Sequence, residues 1–352
     1  MALILRSIAD VAALEYDAVI DVRSPAEFAE DHLPGAINLP VLGDDERARV
    51  GTIYKQQSPF LARKIGAALV ARNAARHLEG PLAEMPGAWR PLVYCWRGGQ
   101  RSGSFATILA QVGWRVELVD GGYKAWRKLV VDAVQHQPVT APLVVLDGNT
   151  GTAKTELLGL MAARDLQVID LEGLANHRGS LFGDRPGGQP SQKAFEGRLA
   201  LALAAIDPAR PLVVEAESSR IGDLSVPKQL WAAMCAAPRL RIEAPRAARA
   251  DYLARTYRDV ADDAGRLGET IDRLAPHHPR ERIAEWHALA GAGAFATLAG
   301  ALMEHHYDPR YESHRARFAG ADDSVVAAPG LAPADLPPLA DRLAAEAVRI
   351  AR

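Results

Sequence analysis

The sequence predicts an α/β protein: two parallel-sheet units followed by a helical C-terminal region. Three observations carry that expectation. Short apolar, β-branched runs alternate with helix-periodic segments up to about residue 245. These runs fall into two groups separated by HQPVTAP (136–142), a polar stretch with two prolines. Beyond Pro245 only helical periodicity remains, with no clear strand. The expected organisation is therefore a first domain over 1–135, a linker over 136–142, a second α/β domain over 143–245 and a helical region over 246–352.

In the first group, DAVIDV (17–22), PLVYC (91–95) and RVELVD (115–120) read as strands. Between the last two, a helix opening at Ser102 places Phe105, Ile108, Leu109 and Val112 on one face, with Gly113 as its stop. Strand, helix and strand in that order imply parallel pairing with right-handed crossovers. Residues 44–90 read as mainly helical. In the second group the strands are LVVLDG (143–148), LQVIDL (166–171), PLVVEAE (211–217) and RLRIEA (239–244), with a helix from about Thr152. The alanine-rich stretch 326–347 is expected to be partly loose.

A length of 352 residues favours two or three domains, and 49% hydrophobic with 24% charged residues is ample for buried cores. The net charge of −2 predicts neither an acidic nor a basic partner, so a nucleic-acid site must come from local clustering of the 41 Lys and Arg. Two cysteines, Cys95 and Cys235, supply neither a disulfide framework nor a zinc quartet, and they fit a reducing compartment. No apolar run is long enough to span a membrane and acids come too early for a secretory leader, so a soluble cytoplasmic protein is expected.

The stretch 94-YCWRGGQRSGS-104 is the first candidate site. Thiolate is the reactive form of cysteine, and cations or a helix N-terminus lower its pKa. Gly98 and Gly99 let successive backbone N–H groups curl around an anion, Arg97 and Arg101 add positive charge, and the following helix adds its dipole. Cys95 is accordingly expected to be exposed and anionic, with Arg97 and Arg101 as its catalytic partners. Cys-x5-Arg after a strand suits two chemistries: phosphate-ester hydrolysis through a cysteinyl phosphate, or chalcogen transfer through a persulfide or perselenide.

The second candidate is 148-GNTGTAKT-155, a G-x-x-x-x-G-K-[ST] phosphate loop between an apolar strand and a helical pattern. Gly148, Gly151, Thr152 and Ala153 form the cradle, Lys154 supplies a point charge, and Thr155 can hold a magnesium ion. Ala153 stands where a glycine is usual, which a negative φ would accommodate. Either Glu215 or Glu217 can serve as the partner acid at the end of PLVVEAE. No metal-ligand cluster is read from the sequence.

Other clusters are less specific. The stretch 170-DLEGLANHRGSLFG-183 groups Asp170, Glu172, His177, Arg178 and Ser180 after a strand, where α/β sheets bind ligands. Arg246, Arg249, Arg255 and Arg258, with Tyr252 and Tyr257, form either a solvated helix face, the favoured reading, or an RNA-tracking stripe. The cluster 304-EHHYDPRYESHR-315 is a further candidate for phosphate contact.

The segment 21-DVRSPAEFAEDHLPGAINLP-40 resembles the rhodanese family signature, and 119-VDGGYKAW-126 resembles its closing strand and turn. The resemblance covers roughly residues 5–135 and implies a rhodanese-like domain with Cys95 as nucleophile. With the phosphate loop, with VGTIYKQQSPFLARKIG (50–66), VEAESSRIG and HYDPRY, the chain resembles the tRNA 2-selenouridine synthase family over nearly its full length. That resemblance implies a transferase acting on tRNA bearing 2-thiouridine at the wobble position. It implies that a geranyl group passes from geranyl diphosphate to sulfur, and that selenium from selenophosphate then replaces the S-geranyl group. It further implies that Cys95 carries selenium as a perselenide and that the phosphate loop takes a prenyl diphosphate, with magnesium as an optional ion. Two other readings stay open on the residues alone: a P-loop NTPase or kinase with a rhodanese-like accessory domain, and a regulatory tRNA-binding protein.

Overall fold

Each apolar run becomes a strand because its β-branched residues fill both faces of a sheet covered by helices. The structure, a computed structural model, describes residues 2–315 and 324–351. The chain divides into two compact units, residues 1–137 with 190–205, and residues 138–189 with 206–352.

The first unit is built on five parallel strands: β1 (Ala2–Leu3), β2 (Ala18–Asp21), β3 (Ala36–Asn38), β4 (Pro91–Tyr94) and β5 (Glu117–Val119), in the order β1-β5-β4-β2-β3. Val93 pairs with Ile20 and with Leu118, which makes β4 the central strand and sets its C-terminal end, at Cys95, in the middle of the sheet. The helix Gln100–Val112 stops at Gly113 in the left-handed region, as the sequence predicts, and buries Phe105 and Leu109. Val112, expected on that apolar face, is instead exposed, as the last residue of the helix.

The Asp-x-Arg of the rhodanese-like signature is a buried structural pin. Asp21 and Arg23 are 0% and 1% exposed, joined at 2.6 Å, and Arg23 also donates to the Asp31 carbonyl and lies 4.0 Å from the Tyr123 ring centroid. Breaking a pair so buried costs ~3–5 kcal/mol, so the motif fixes the chain that follows β2. The helix Gln192–Ala204 packs with this unit although it lies within the stretch read from sequence as the second domain. Its Glu196 pairs with Arg127, and its Lys193 pairs with Glu30 at 2.6 Å.

The second unit carries β6 (Leu143–Gly148), β7 (Gln167–Ile169), β8 (Leu212–Glu215), a small antiparallel hairpin of β9 (Arg220–Ile221) and β10 (Leu224–Ser225), β11 (Arg239–Glu243) and β12 (Ser324–Ala327). The parallel sheet runs β12-β11-β6-β8-β7, with β6 at its centre. Two features of the C-terminal region depart from the sequence expectation. Ser324–Ala327 is a strand rather than part of a purely helical region, paired to β11 along its whole length. The alanine-rich stretch is not loose: Leu336–Ile350 is a helix that buries Leu336, Leu339, Ala340, Leu343 and Ala347 against the phosphate-loop helix and sheet. No helix among the described residues is long and apolar enough to cross a membrane.

Candidate functional sites: a cysteine cup and a phosphate loop

Cys95 follows the last residue of β4, and the turn after β5 clamps the loop that leaves it. Tyr123 N–H donates to the Cys95 carbonyl at 2.8 Å and Lys124 N–H to the Trp96 carbonyl at 3.1 Å. Gly122, at φ +56°, is required there, since a Cβ on it would lie 2.2 Å from the Cys95 carbonyl oxygen. This clamp turns the sulfur inward. Cys95 is 4% exposed and borders the core formed by Val93, Phe105 and Leu109, so the expectation of an exposed side chain is corrected.

The sulfur is nevertheless placed as an anion site. Ser102 Oγ donates to it at 3.1 Å. Burial pushes the thiol up, but the Ser102 hydroxyl, the Ser102 and Arg97 backbone N–H groups and the Arg101 charge outweigh it, and the pKa lies below the ordinary value. Arg97 thus acts through its amide while its side chain is exposed. Arg101 is held by Glu27 at 2.9 Å, and Glu27 also binds Arg47 at 2.8 Å. Ser102, which the sequence marks only as a helix start, is the residue that sequence reasoning missed. A cavity of about 310 Å³ opens beside the loop, between Gln100, Arg101 and Ser104 and the side chains of Tyr54 and Arg63.

The phosphate loop leaves β6 at Gly148. Gly151, at φ +85°, faces the Arg249 carbonyl so closely that a Cβ would meet its oxygen at 2.8 Å. Thr152 Oγ1 donates to the Asn149 carbonyl at 2.8 Å, and Lys154 Nζ donates to the Gly148 carbonyl at the same distance. Ala153 sits at φ +61°, the left-handed region, rather than at the negative φ that would spare it strain. An alanine there costs ~1 kcal/mol relative to glycine, while its methyl is buried in the core with Leu157 and Val213.

A frame of buried charges holds this loop. Arg249 binds Asp308 with both terminal nitrogens, at 2.9 and 2.8 Å, and donates to the Thr150 carbonyl at 3.1 Å. Asp147 accepts from Arg315 at 3.1 Å; burial raises its pKa, but Arg315, Lys154 and Arg239 together hold it below the ordinary carboxylate value. Arg249, read as part of a helix face or RNA stripe, is therefore a loop support, and Arg246 pairs with Glu304 at 2.8 Å. The 304–315 cluster also turns inward. His306 is buried between His278 and Arg310, both at 2.9 Å, and burial with those cationic neighbours pushes its pKa down to about 4. His177 is buried too, accepting from the Gly179 N–H at 3.1 Å, and burial lowers its pKa.

Carboxylates converge beside Thr155. Thr155 Oγ1 donates to Glu172 at 2.8 Å, and the Glu172 N–H donates to Glu215 at 2.6 Å. Burial and the charges of Glu172 and Asp170 raise the Glu215 carboxyl well above its ordinary value, and its Oε2 has no hydrogen-bond partner among the described residues. Burial and the Glu172 charge push Glu217 up to about 8. Between the ordinary carboxylate value of 4.5 and about 8, the folded chain keeps a proton on Glu217 that the unfolded chain loses, so this group makes stability fall as pH rises through that window. Glu217→Gln is therefore expected to melt like the parent at pH 4 and about 5 °C higher at pH 8.5. Circular dichroism melts check this, and an equal shift at both pH values would contradict it.

Comparison with known proteins agrees with this two-site architecture. The rhodanese-like domain family matches residues 7–129, and the tRNA 2-selenouridine synthase AAA domain family matches residues 141–271. The tRNA 2-selenouridine synthase of Chromohalobacter salexigens is 40% identical over 331 residues, covering 90% of this chain and 87% of that one. The protein of the same name from Alcanivorax borkumensis is 35% identical over 334 residues, covering 86% and 90%. That from Aeromonas salmonicida is 39% identical over 253 residues, covering 70% and 67%. With a cupped cysteine in one unit, a phosphate loop in the other and relatives of one name matching across both, the chain belongs to the tRNA 2-selenouridine synthase family.

Proposed function

We propose that this protein converts the wobble 2-thiouridine of tRNA to 2-selenouridine in two transfers, each served by one of the sites. In the first, the thiocarbonyl sulfur attacks C1 of geranyl diphosphate. The C1–S bond forms as the C1–O bond breaks, diphosphate leaves with the bonding electrons, and the base loses its N3 proton to give neutral S-geranyl-2-thiouridine. Lys154 and the loop amides serve by stabilising the charge that grows on the departing diphosphate. In the second, the Cys95 thiolate attacks C2 as the C2–S bond breaks and the geranyl group departs, protonated, as its thiol; the selenium of selenophosphate then forms the C2–Se bond as Cys95 leaves as thiolate, and water cleaves the P–Se bond to release phosphate and 2-selenouridine. Selenium stays at the selenide level throughout, so Cys95 acts as the nucleophile rather than as a perselenide, with the Ser102 hydroxyl, the Ser102 and Arg97 amides and Arg101 stabilising its thiolate. The cavity beside Tyr54 and Arg101 is the place for the uridine, where the half-exposed Tyr54 ring can stack a base.

A divalent cation suits the phosphate loop: Glu215 Oε2 is buried with no partner among the described residues, and Thr155 already shares a hydrogen bond with Glu172. Thr155, Glu172 and Glu215 would hold magnesium, whose charge would assist departure of diphosphate. No three His, Cys, Asp or Glu side chains among the described residues form a complete cage, so the remaining ligands would be diphosphate oxygens and water.

The observation that carries this proposal is the placement of the Cys95 sulfur at the end of the central strand, where it accepts from the Ser102 hydroxyl at 3.1 Å in the first turn of the following helix, an arrangement that favours its anion. Nucleoside mass spectrometry of tRNA from a deletion strain, complemented with the parent or with site variants, tests it. The parent is expected to restore 2-selenouridine, and failure to restore it or S-geranyl-2-thiouridine would sink the proposal.

A further inference from the structure

We infer that the apolar cavity bordering the phosphate loop is the site of the hydrocarbon tail of a prenyl diphosphate, so that a single ligand spans two adjoining chambers of the second unit. This rests on the reading that the loop takes a prenyl diphosphate rather than a nucleotide, and it adds where the tail goes and what selects it. One chamber is the phosphate site, walled by Gly151, Lys154 and Thr155 with Arg178 and Arg185. The other is walled by Phe182, Val260, Leu267, Phe295, Leu298 and Leu302, from the 170–183 stretch and the C-terminal helices. The two share Thr150, Ser180, Leu253 and Tyr257 as common walls. Thr150 belongs to the phosphate loop itself, so an anion on the loop lies directly beside the apolar chamber.

The chemistry of the two chambers matches an amphiphile. A charged head is met by a lysine and two arginines, and the adjoining wall is almost wholly hydrocarbon. A purine or a ribose entering the same chamber would leave its ring nitrogens and hydroxyls facing leucine and phenylalanine side chains, and unpaired polar groups weaken binding. An isoprenoid has no such groups. Each methylene removed from water strengthens binding about fourfold, so the chamber favours a longer prenyl chain over a shorter one. Ala254 and Ala299 are small side chains on its wall, where enlargement would occupy the space of the tail.

Calorimetric titration of the full chain with magnesium, using inorganic diphosphate, dimethylallyl diphosphate and geranyl diphosphate, tests this. The parent is expected to bind geranyl diphosphate ~10³-fold more tightly than dimethylallyl diphosphate, and to bind inorganic diphosphate more weakly than both. Ala299→Phe and Ala254→Leu are each expected to lose most of that preference while binding inorganic diphosphate within about twofold of the parent, which also shows that the loop is folded. If either variant fails to bind inorganic diphosphate, the other variant and the parent's chain-length series decide. A parent that binds inorganic diphosphate with no gain from the geranyl chain, or folded variants that keep the full preference, would overturn the tail site and leave the loop reading standing. A parent that binds ATP but neither prenyl ligand nor inorganic diphosphate would overturn the loop reading itself.

Discussion

Replacing Cys95 by serine is expected to abolish 2-selenouridine in tRNA, by ~10³-fold or more, while S-geranyl-2-thiouridine accumulates. The substitution removes the thiolate that displaces geranylthiol from C2. A serine hydroxyl stays protonated in the same cup, because burial opposes its ionisation and its intrinsic acidity is far weaker than that of a thiol. The packing consequence is small. Cys95 lies against Phe105 and Leu109 in the first unit's core, and serine is slightly smaller, so the sheet and loop persist. The phosphate loop, in the second unit, is unaltered. Nucleoside mass spectrometry reads both products at once, and loss of the S-geranyl product together with the selenated one would assign Cys95 to the wrong step.

Replacing Lys154 by alanine is expected to lower geranylation by ~10²–10³-fold, the usual loss when a charge stabilising a leaving group is removed. Here 2-thiouridine accumulates and both later products fall, which distinguishes this variant from Cys95→Ser. Burial disfavours the charged ammonium, but Tyr311, Glu172, Glu217 and Asp147 more than offset it, and the Lys154 pKa is raised above its ordinary value. The side chain therefore arrives charged, and alanine removes that charge from the centre of the cradle. Unchanged geranylation in a folded Lys154→Ala protein would remove the phosphate loop from the first transfer.

Both sites were legible because their chemistry is local. The glycines, cysteine and arginines of YCWRGGQRS and the glycines and lysine of GNTGTAKT lie within a few residues of one another, and each stretch follows a strand that the apolar pattern reveals. What the sequence hid depends on distant partners. Cys95 is buried because the Gly121–Gly122 turn closes over its loop. The arginine helix is not a free cationic face because Arg249 meets Asp308, 59 positions away, and Asp147 finds Arg315 at a separation of 168. The strand Ser324–Ala327 escaped notice because an alanine-rich flank masks so short a run, and only pairing with β11 defines it. Ala153 shows tertiary packing overriding local preference, its buried methyl compensating for a backbone conformation that glycine would adopt more readily.

The most direct measurement is the titration of the Cys95 thiol, read as the ultraviolet thiolate absorbance of the parent minus that of Cys95→Ser, and repeated with Ser102→Ala. The expected midpoint lies below that of an ordinary cysteine and moves upward when the Ser102 hydroxyl is removed. A midpoint at or above the ordinary value, indifferent to Ser102, would mean that hydrocarbon burial governs this sulfur and that it is no thiolate nucleophile.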